Sequence, residues 1–366
     1  MSRTAMIMAG GTGGHIFPGL AVADELRQRG WNVVWLGSRG GMEGELVPKR
    51  GYPLERVRFS GVRGGGPLGW ALLPLKLVVA CVESAAALFR QRPDVVLGMG
   101  GFVTFPGGLM ASLLGRPLVV HEQNAIAGLA NRVLAAVADR VLVGFPQAFA
   151  PGAGAASWLR PARTPEWTGN PVRDAIALLP PPAERYAARS GPISLLVVGG
   201  SRGARALNDV LPRALAGMVP GERPRVMHQT GAGDAERVDA AYREGGVDAD
   251  VRAFIDDMAA AYAASDLVIC RAGALTVGEL AAAGVASVLV PYPHAVDDHQ
   301  SANARFLADA GAAALVPQSE FTPERAAELI RGFDRARLAE MAARARTRAQ
   351  PDAARRVAEA CMEAAG

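Results

Sequence analysis

Cysteine is scarce: three in 366 residues, at Cys81, Cys270 and Cys361, with no C-x-x-C spacing and no even framework. That excludes a disulfide scaffold and a structural zinc cluster, and it fits a reducing compartment. Neither sign of charge dominates. The 39 basic residues are set against 35 interspersed acidic ones, a net +4, so a nucleic-acid-binding surface is not indicated. A signal-peptide core is lacking, because the apolar run after the first arginine, Ala5 to Ala9, is too short. Short-period repeats and low-complexity tracts are missing as well. What is abundant is glycine, 43 residues, with 50% hydrophobic residues. This composition and length suit two α/β domains of about 100–200 residues each, with many tight turns.

Two glycine-rich turns occupy equivalent places in the two halves. Gly10-Gly11-Thr12-Gly13-Gly14-His15 follows the apolar run Ala5 to Ala9 and precedes a helical stretch, Gly19 to Arg29. Gly199-Gly200-Ser201-Arg202-Gly203-Ala204-Arg205 follows Ile193 to Val198 and precedes Ala206 to Ala216. Glycine permits a sharp turn from strand to helix, and a helix N-terminus favours negative charge. Both turns are therefore read as anion-ready. Continuous apolar runs at Trp31–Gly37, Asp94–Gly98, Pro117–His121 and Arg140–Val143 predict strands covered on both faces. The second half repeats the pattern at Leu195–Val198, Arg225–Gln229, Val251–Phe254, Leu267–Cys270 and Ser287–Val290. The fold expected is α/β: two Rossmann-like, doubly wound domains with a cleft between them. Nine prolines between Phe145 and Pro192 mark this stretch as the inter-domain connection, with one short helix in it.

A nicotinamide site fails on two counts. Ile16 stands where the third glycine of the fingerprint belongs, and the second strand ends Leu36-Gly37-Ser38 with no acidic residue for a ribose. A third loop, Cys270-Arg271-Ala272-Gly273-Ala274-Leu275-Thr276-Val277-Gly278-Glu279, again has strand–turn–helix form. A carboxylate there, at Glu279, could accept hydrogen bonds from a vicinal diol while helix amides face phosphate; alternatively it only complements the helix dipole. No DxD motif offers a metal site. Asp256-Asp257 and Asp297-Asp298 read as helix caps.

Several of these motifs resemble the MurG family of N-acetylglucosaminyltransferases: the 10–15 glycine turn, His121-Glu122-Gln123-Asn124, Gly169-Asn170-Pro171-Val172-Arg173, the 199–205 turn, the Arg271–Glu279 loop, and Asp298-His299-Gln300 with Asn303. The resemblance runs from about Thr4 to the end. It implies a GT-B fold with residues 1–165 holding the lipid-linked acceptor (lipid I) and 166–350 binding UDP-N-acetylglucosamine, while 351–366 form a helix returning to the first domain. It further implies that Arg173 and Ser201 contact the donor diphosphate and that the Ile255 backbone meets uracil. Ala274, Leu275 and Thr276, with Val277 and Gly278, line diphosphate and sugar, and Glu279 binds the ribose. Gln300 and Asn124 read the sugar hydroxyls; Thr12, Gly13 and Gly14 join the donor contacts. No tightly bound cofactor is implied; a divalent cation could assist, though no site for one is evident. The family's frequent tyrosine after Gly-Met-Gly-Gly is Phe102 here, which assigns that position to packing or acceptor contact.

Inverting transfer to the acceptor 4-hydroxyl requires a base. His15 is the first choice because imidazole titrates near neutrality, with His121 and Glu122 as alternatives. The stretch Trp70–Phe89 carries only Lys76 and Glu83 as charges and is interrupted by Pro74. It is expected to lie on an anionic membrane surface, the cytoplasmic face of the inner membrane, through Leu72, Leu75 and Val79, with Arg63, Lys76, Arg90 and Arg92 adding attraction. Cell-wall assembly proteins are further candidate partners. A UDP-N-acetylglucosamine 2-epimerase, another UDP-sugar transferase and a catalytically silent sugar-nucleotide scaffold are the rival readings.

Overall fold

The computed structural model describes residues 2–59, 71–152, 154, 157–200 and 203–366. The chain divides into two compact units: Met1–Arg173 together with Gln350–Gly366, and Asp174–Ala349. The first contains β1 (Thr4–Met8), β2 (Asn32–Ser38), β3 (Leu54–Val57), β4 (Val95–Gly98), β5 (Leu118–Glu122), β6 (Arg140–Val143) and β7 (Glu166–Trp167). They form one parallel sheet in the order β3-β2-β1-β4-β5-β6-β7. Side chains alternate strictly across it. Ala5, Ile7, Val95, Leu97, Val119 and Leu142 meet the helices Gly13–Gln28 and Ala353–Ala364 on one face. Met6, Met8, Val96, Leu118, Val120 and Val141 meet the helices Leu73–Gln91, Thr104–Leu113 and Leu129–Ala135 on the other. Two covered faces explain why these strands read as unbroken apolar runs.

The second unit holds β8 (Ser194–Val198), β9 (Arg225–Gln229), β10 (Ala249–Arg252), β11 (Leu267–Cys270), β12 (Ala286–Leu289) and β13 (Ala313–Leu315). Its parallel sheet runs β10-β9-β8-β11-β12-β13. Each sheet therefore reverses its winding beside a central strand, β1–β4 in one and β8–β11 in the other, where open α/β sheets bind ligands at the strands' carboxyl ends.

Five expectations are corrected. The proline-rich 145–192 stretch is not one connection: β7 pairs with β6 inside the first unit, and the short helices Asp174–Ala177 and Pro182–Ala187 belong to the second. The division thus falls after Arg173 instead of after 165. The strand expected at 251–254 lies at 249–252, which puts Phe254 and Ile255 in the following loop. Pro74 does not interrupt its helix; it sits in the first turn, where proline has no hydrogen bond to break, and Leu73–Gln91 runs for 19 residues. Along that helix Leu75, Val78 and Val82 are 62%, 60% and 64% exposed, whereas Val79 is half-buried. Trp70 and Arg63 lie outside the described residues.

Candidate active site

In the first unit, β1 ends at Met8 and the chain turns through Gly10 and Gly11 into the Gly13–Gln28 helix, whose N-cap is Thr12. Thr12, Gly13, Gly14 and His15 are therefore carried at the carboxyl end of the central strand. The loop after β4 passes very close to them. A Cβ on Gly101, whose φ is +90°, would lie 2.3 Å from the Gly10 carbonyl oxygen, so a side chain there would drive the two loops apart. A Cβ on the neighbouring Gly100 would lie 3.1 Å from His15 Nε2 and 3.5 Å from Gln123 Oε1. The structure thus brings His15, from the end of β1, beside the loop after β4 and the His-Glu-Gln-Asn segment at the end of β5.

That segment is locked by its own hydrogen bonds. The Glu122 carboxylate is 2% exposed and accepts from Asn124 N–H (2.8 Å), Asn124 Nδ2 (3.2 Å), Gly128 N–H (3.1 Å) and Asn131 Nδ2 (2.9 Å). With four donors on it, Glu122 shapes the 124–128 loop, ties it to the first turn of the Leu129–Ala135 helix and holds Asn124. His121 is fully buried, with Nε2 at 3.0 Å from the Gly169 carbonyl and Nδ1 at 3.0 Å from Gln123 Nε2. A carbonyl only accepts, so Nε2 carries the proton and Nδ1 accepts from the amide. Burial pushes the imidazole down to about 4. His121 is a structural lock, and the alternative of His121 as base falls. Phe102 is 48% exposed and does not pack into the core.

In the second unit, the 199–203 turn follows β8; Ser201 lies outside the described residues. Gln229, at the end of β9, ties two parts of this region together: its Nε2 donates to the Gly200 carbonyl (3.2 Å) and its Oε1 accepts from Ile255 N–H (3.0 Å). The Ile255 amide is thereby engaged within the protein, and its carbonyl makes no hydrogen bond to Gln229. β11 leads through Gly273, an N-cap with no side-chain bond, into the Ala274–Ala283 helix. Ala274, Leu275 and Thr276 form its first turn, whose amides have no acceptor within a helix. Val277 and Gly278 follow. Glu279 lies one turn further in, 6% exposed, and accepts from the Tyr262 hydroxyl (3.1 Å). After β12, Gln300 Oε1 accepts from Tyr292 N–H (2.9 Å).

The two aspartate pairs behave differently. Asp257 caps the Met258–Ala264 helix by accepting from Ala260 N–H, whereas Asp297 and Asp298 take left-handed backbone, φ 52° and 51°, and Asp298 makes no side-chain cap. Consecutive left-handed non-glycine residues cost about 1–2 kcal/mol each, a strain typical of functional loops. Arg173 closes the first unit, not the second. Among the described residues no group of three His, Cys, Asp or Glu could hold a metal ion.

Residues 5–143 match the glycosyltransferase family 28 N-terminal domain, and residues 194–357 match its C-terminal domain. The chain belongs to glycosyltransferase family 28. It is 59% identical over 363 residues to the UDP-N-acetylglucosamine–N-acetylmuramyl-(pentapeptide) pyrophosphoryl-undecaprenol N-acetylglucosamine transferase of Nitrosospira multiformis, covering 99% of both chains. A counterpart of the same name from Cupriavidus metallidurans is 58% identical, covering all of this chain and 99% of its own. The crystal structure of Acinetobacter baumannii MurG superimposes with a TM-score of 0.84 at 41% identity over 99% of each chain. The UDP-GlcNAc 2-epimerase of Neisseria meningitidis, solved with UDP-GlcNAc, shares the fold at TM-score 0.65 and 12% identity over 99% of this chain and 100% of its own. The two-domain GT-B architecture of family 28 is thus present. Gln229 was not legible as a site residue, since a glutamine ending a strand has no motif of its own.

Proposed function

We infer that this chain transfers N-acetylglucosamine from UDP-N-acetylglucosamine to the N-acetylmuramyl-pentapeptide of an undecaprenyl-pyrophosphoryl acceptor, converting lipid I to lipid II. One observation carries the inference: near-full-length identity of 59% to a transferase named for that reaction. Inverting attack by the acceptor 4-hydroxyl on the sugar's anomeric carbon expels UDP, so charge develops on the diphosphate as a proton leaves the hydroxyl. Helix N-termini supply preorganised donors for the diphosphate. We assign that task to the Ala274–Thr276 turn and the 199–203 turn with Ser201, assisted by Arg173. Glu279 takes the ribose, the Ile255 carbonyl the uracil, and Gln300 and Asn124 the sugar. Thr12, Gly13 and Gly14 complete the donor contacts, and His15 accepts the proton.

The lipid acceptor places the enzyme at a membrane. No helix among the described residues is long and apolar enough to cross one. The Leu73–Gln91 helix instead buries Ala80, Ser84, Ala87 and Leu88 and leaves Leu75, Val78, Val82 and Phe89 exposed in steps of three, four and seven, one continuous stripe. This supports peripheral attachment to the anionic cytoplasmic face of the inner membrane, where cell-wall assembly partners also work.

Incubation with labelled UDP-N-acetylglucosamine and a lipid I analogue tests the reading. Label in the lipid product is expected. Epimerised sugar formed without acceptor would make the chain an epimerase, and UDP binding without turnover would make it a scaffold.

A further inference from the structure

Beneath the 10–15 turn lies a carboxylate that no motif predicts. Glu43, the first residue of the helix Glu43–Lys49, has no exposed surface. Its Oε1 accepts from Ser38 N–H (2.8 Å) and Ser38 Oγ–H (2.5 Å), and its Oε2 accepts from Gly11 N–H (3.1 Å). The space around it is made by omitting side chains: a Cβ on Gly37 would lie 2.6 Å from Glu43 Cγ, and one on Gly41 2.0 Å from Oε2.

The amide it holds is the decisive feature. Gly11 N–H and the Gly10 carbonyl belong to one planar peptide group, and the Gly10 oxygen lies 3.3 Å from His15 Nδ1. Because a carbonyl only accepts, Nδ1 carries the imidazole proton and the lone pair of the neutral ring is on Nε2. The ring edge carrying Nε2 and Cδ2 is turned toward Gly100. Thr12 Oγ1, at 3.5 Å from Nδ1, gives secondary support on the same side.

We propose that Glu43 is a positioning residue for His15, acting through the Gly10–Gly11 peptide as a carboxylate–amide–imidazole relay. The carboxylate fixes and polarises the peptide, and the peptide fixes the ring's orientation and tautomer. Chained hydrogen bonds reinforce one another, and a carboxylate directly behind an imidazole serves the same purpose in metal sites and serine hydrolases. This rests on the reading of His15 as the base.

The test combines Glu43→Gln with imidazole ¹⁵N NMR on the full chain, the His15 signals assigned through His15→Gln. A glutamine has one acceptor oxygen. The two Ser38 donors retain it, so the NH₂ group faces Gly11 N–H, donor against donor, and the relay is cut at constant volume. Expected are a wild-type His15 protonated on Nδ1, a mixed tautomer in Glu43→Gln, and a fall in kcat of about 10–100-fold, the usual loss when such an outer partner is removed. The KM for UDP-N-acetylglucosamine should stay near wild type. Protonation of wild-type His15 on Nε2 overturns the relay, and that measurement decides even where the variant fails to fold. Glu43→Gln with unchanged kcat also overturns it, as does a parallel loss of donor KM and thermal stability, the mark of a mere strut. If His15→Gln itself keeps full activity, the base assignment fails instead.

Discussion

Acidification should unfasten the first unit through His121. The folded ring is neutral because burial holds its pKa at about 4, while the unfolded chain titrates near about 6.5. Between those values the unfolded state binds a proton that the native state refuses. Stability is therefore complete above about pH 6.5, declines as pH falls, and levels off near pH 4. Going from about pH 7.5 to about pH 5, this single group removes about 2 kcal/mol. Protonation would also set an Nδ1–H against the Gln123 amide now 3.0 Å away. All five tryptophans, at 31, 35, 70, 158 and 167, lie in the first unit. Tryptophan fluorescence in urea titrations thus follows that unit alone, and the midpoint and slope give its stability at each pH. His121→Gln should be less stable at pH 7.5 yet lose about 2 kcal/mol less on acidification, since the same carboxylates titrate in both proteins. Equal pH dependence in variant and wild type would refute the reasoning.

The remaining expectations concern activity and attachment. Arg173→Ala should lower kcat/KM for the donor by about 1.5–3 kcal/mol, the cost of a lost charge-assisted hydrogen bond, and steady-state kinetics measure it. Glu279→Ala should raise the donor KM and weaken selection for ribose over deoxyribose nucleotides; if Tyr262→Phe does the same, Glu279 serves only its 3.1 Å bond to that hydroxyl. His15→Ala should cost about 10²–10⁴ in kcat, and activity within a few-fold of wild type would remove the base. Leu75→Glu, Val78→Glu and Val82→Glu should each abolish co-sedimentation with anionic vesicles while sparing UDP affinity, and unchanged co-sedimentation in folded variants would remove the membrane face.

The sequence made the central strands legible because burial on both faces forces unbroken apolar runs, as in Ala5–Ala9 and Leu267–Cys270. It hid β3, Leu54–Val57, whose Glu55 and Arg56 at a sheet edge look like loop, and β7, two residues long in a proline-rich stretch. The glycine turns and the Gly273–Glu279 loop announced themselves by composition. Glu122 was legible as a carboxylate inside a motif, but its four donors were not, because they come from the loop and helix that follow. Val79 misled for a simpler reason: an apolar helix gives no polar stripe from which to deduce which side faces the sheet. Glu43 and Gln229 were illegible because each acts through backbone groups far away in sequence, Gly11 for one and Gly200 and Ile255 for the other.

Those two residues also separate the turns that the sequence presents as twins. Each turn follows the central strand of its sheet, and each is braced from beside the adjacent strand: by the helix after β2 in one unit and by the last residue of β9 in the other. Behind the 199–203 turn the brace is an amide, Gln229, which draws on the Gly200 carbonyl and introduces no charge. Behind the 10–15 turn it is a buried carboxyl group that takes the Gly11 amide inward. By occupying the Gly11 N–H it removes that donor from the turn, and a carboxylate so placed favours a neighbouring group that must gain a proton. The neutral brace adds no charge against the dipole of the following helix. Under the assignment proposed above, the uncharged brace stands behind the turn given the diphosphate and the carboxyl brace behind the turn that carries His15. The first turn carries His15, and the proposed relay sets the Glu43 carboxyl group behind it.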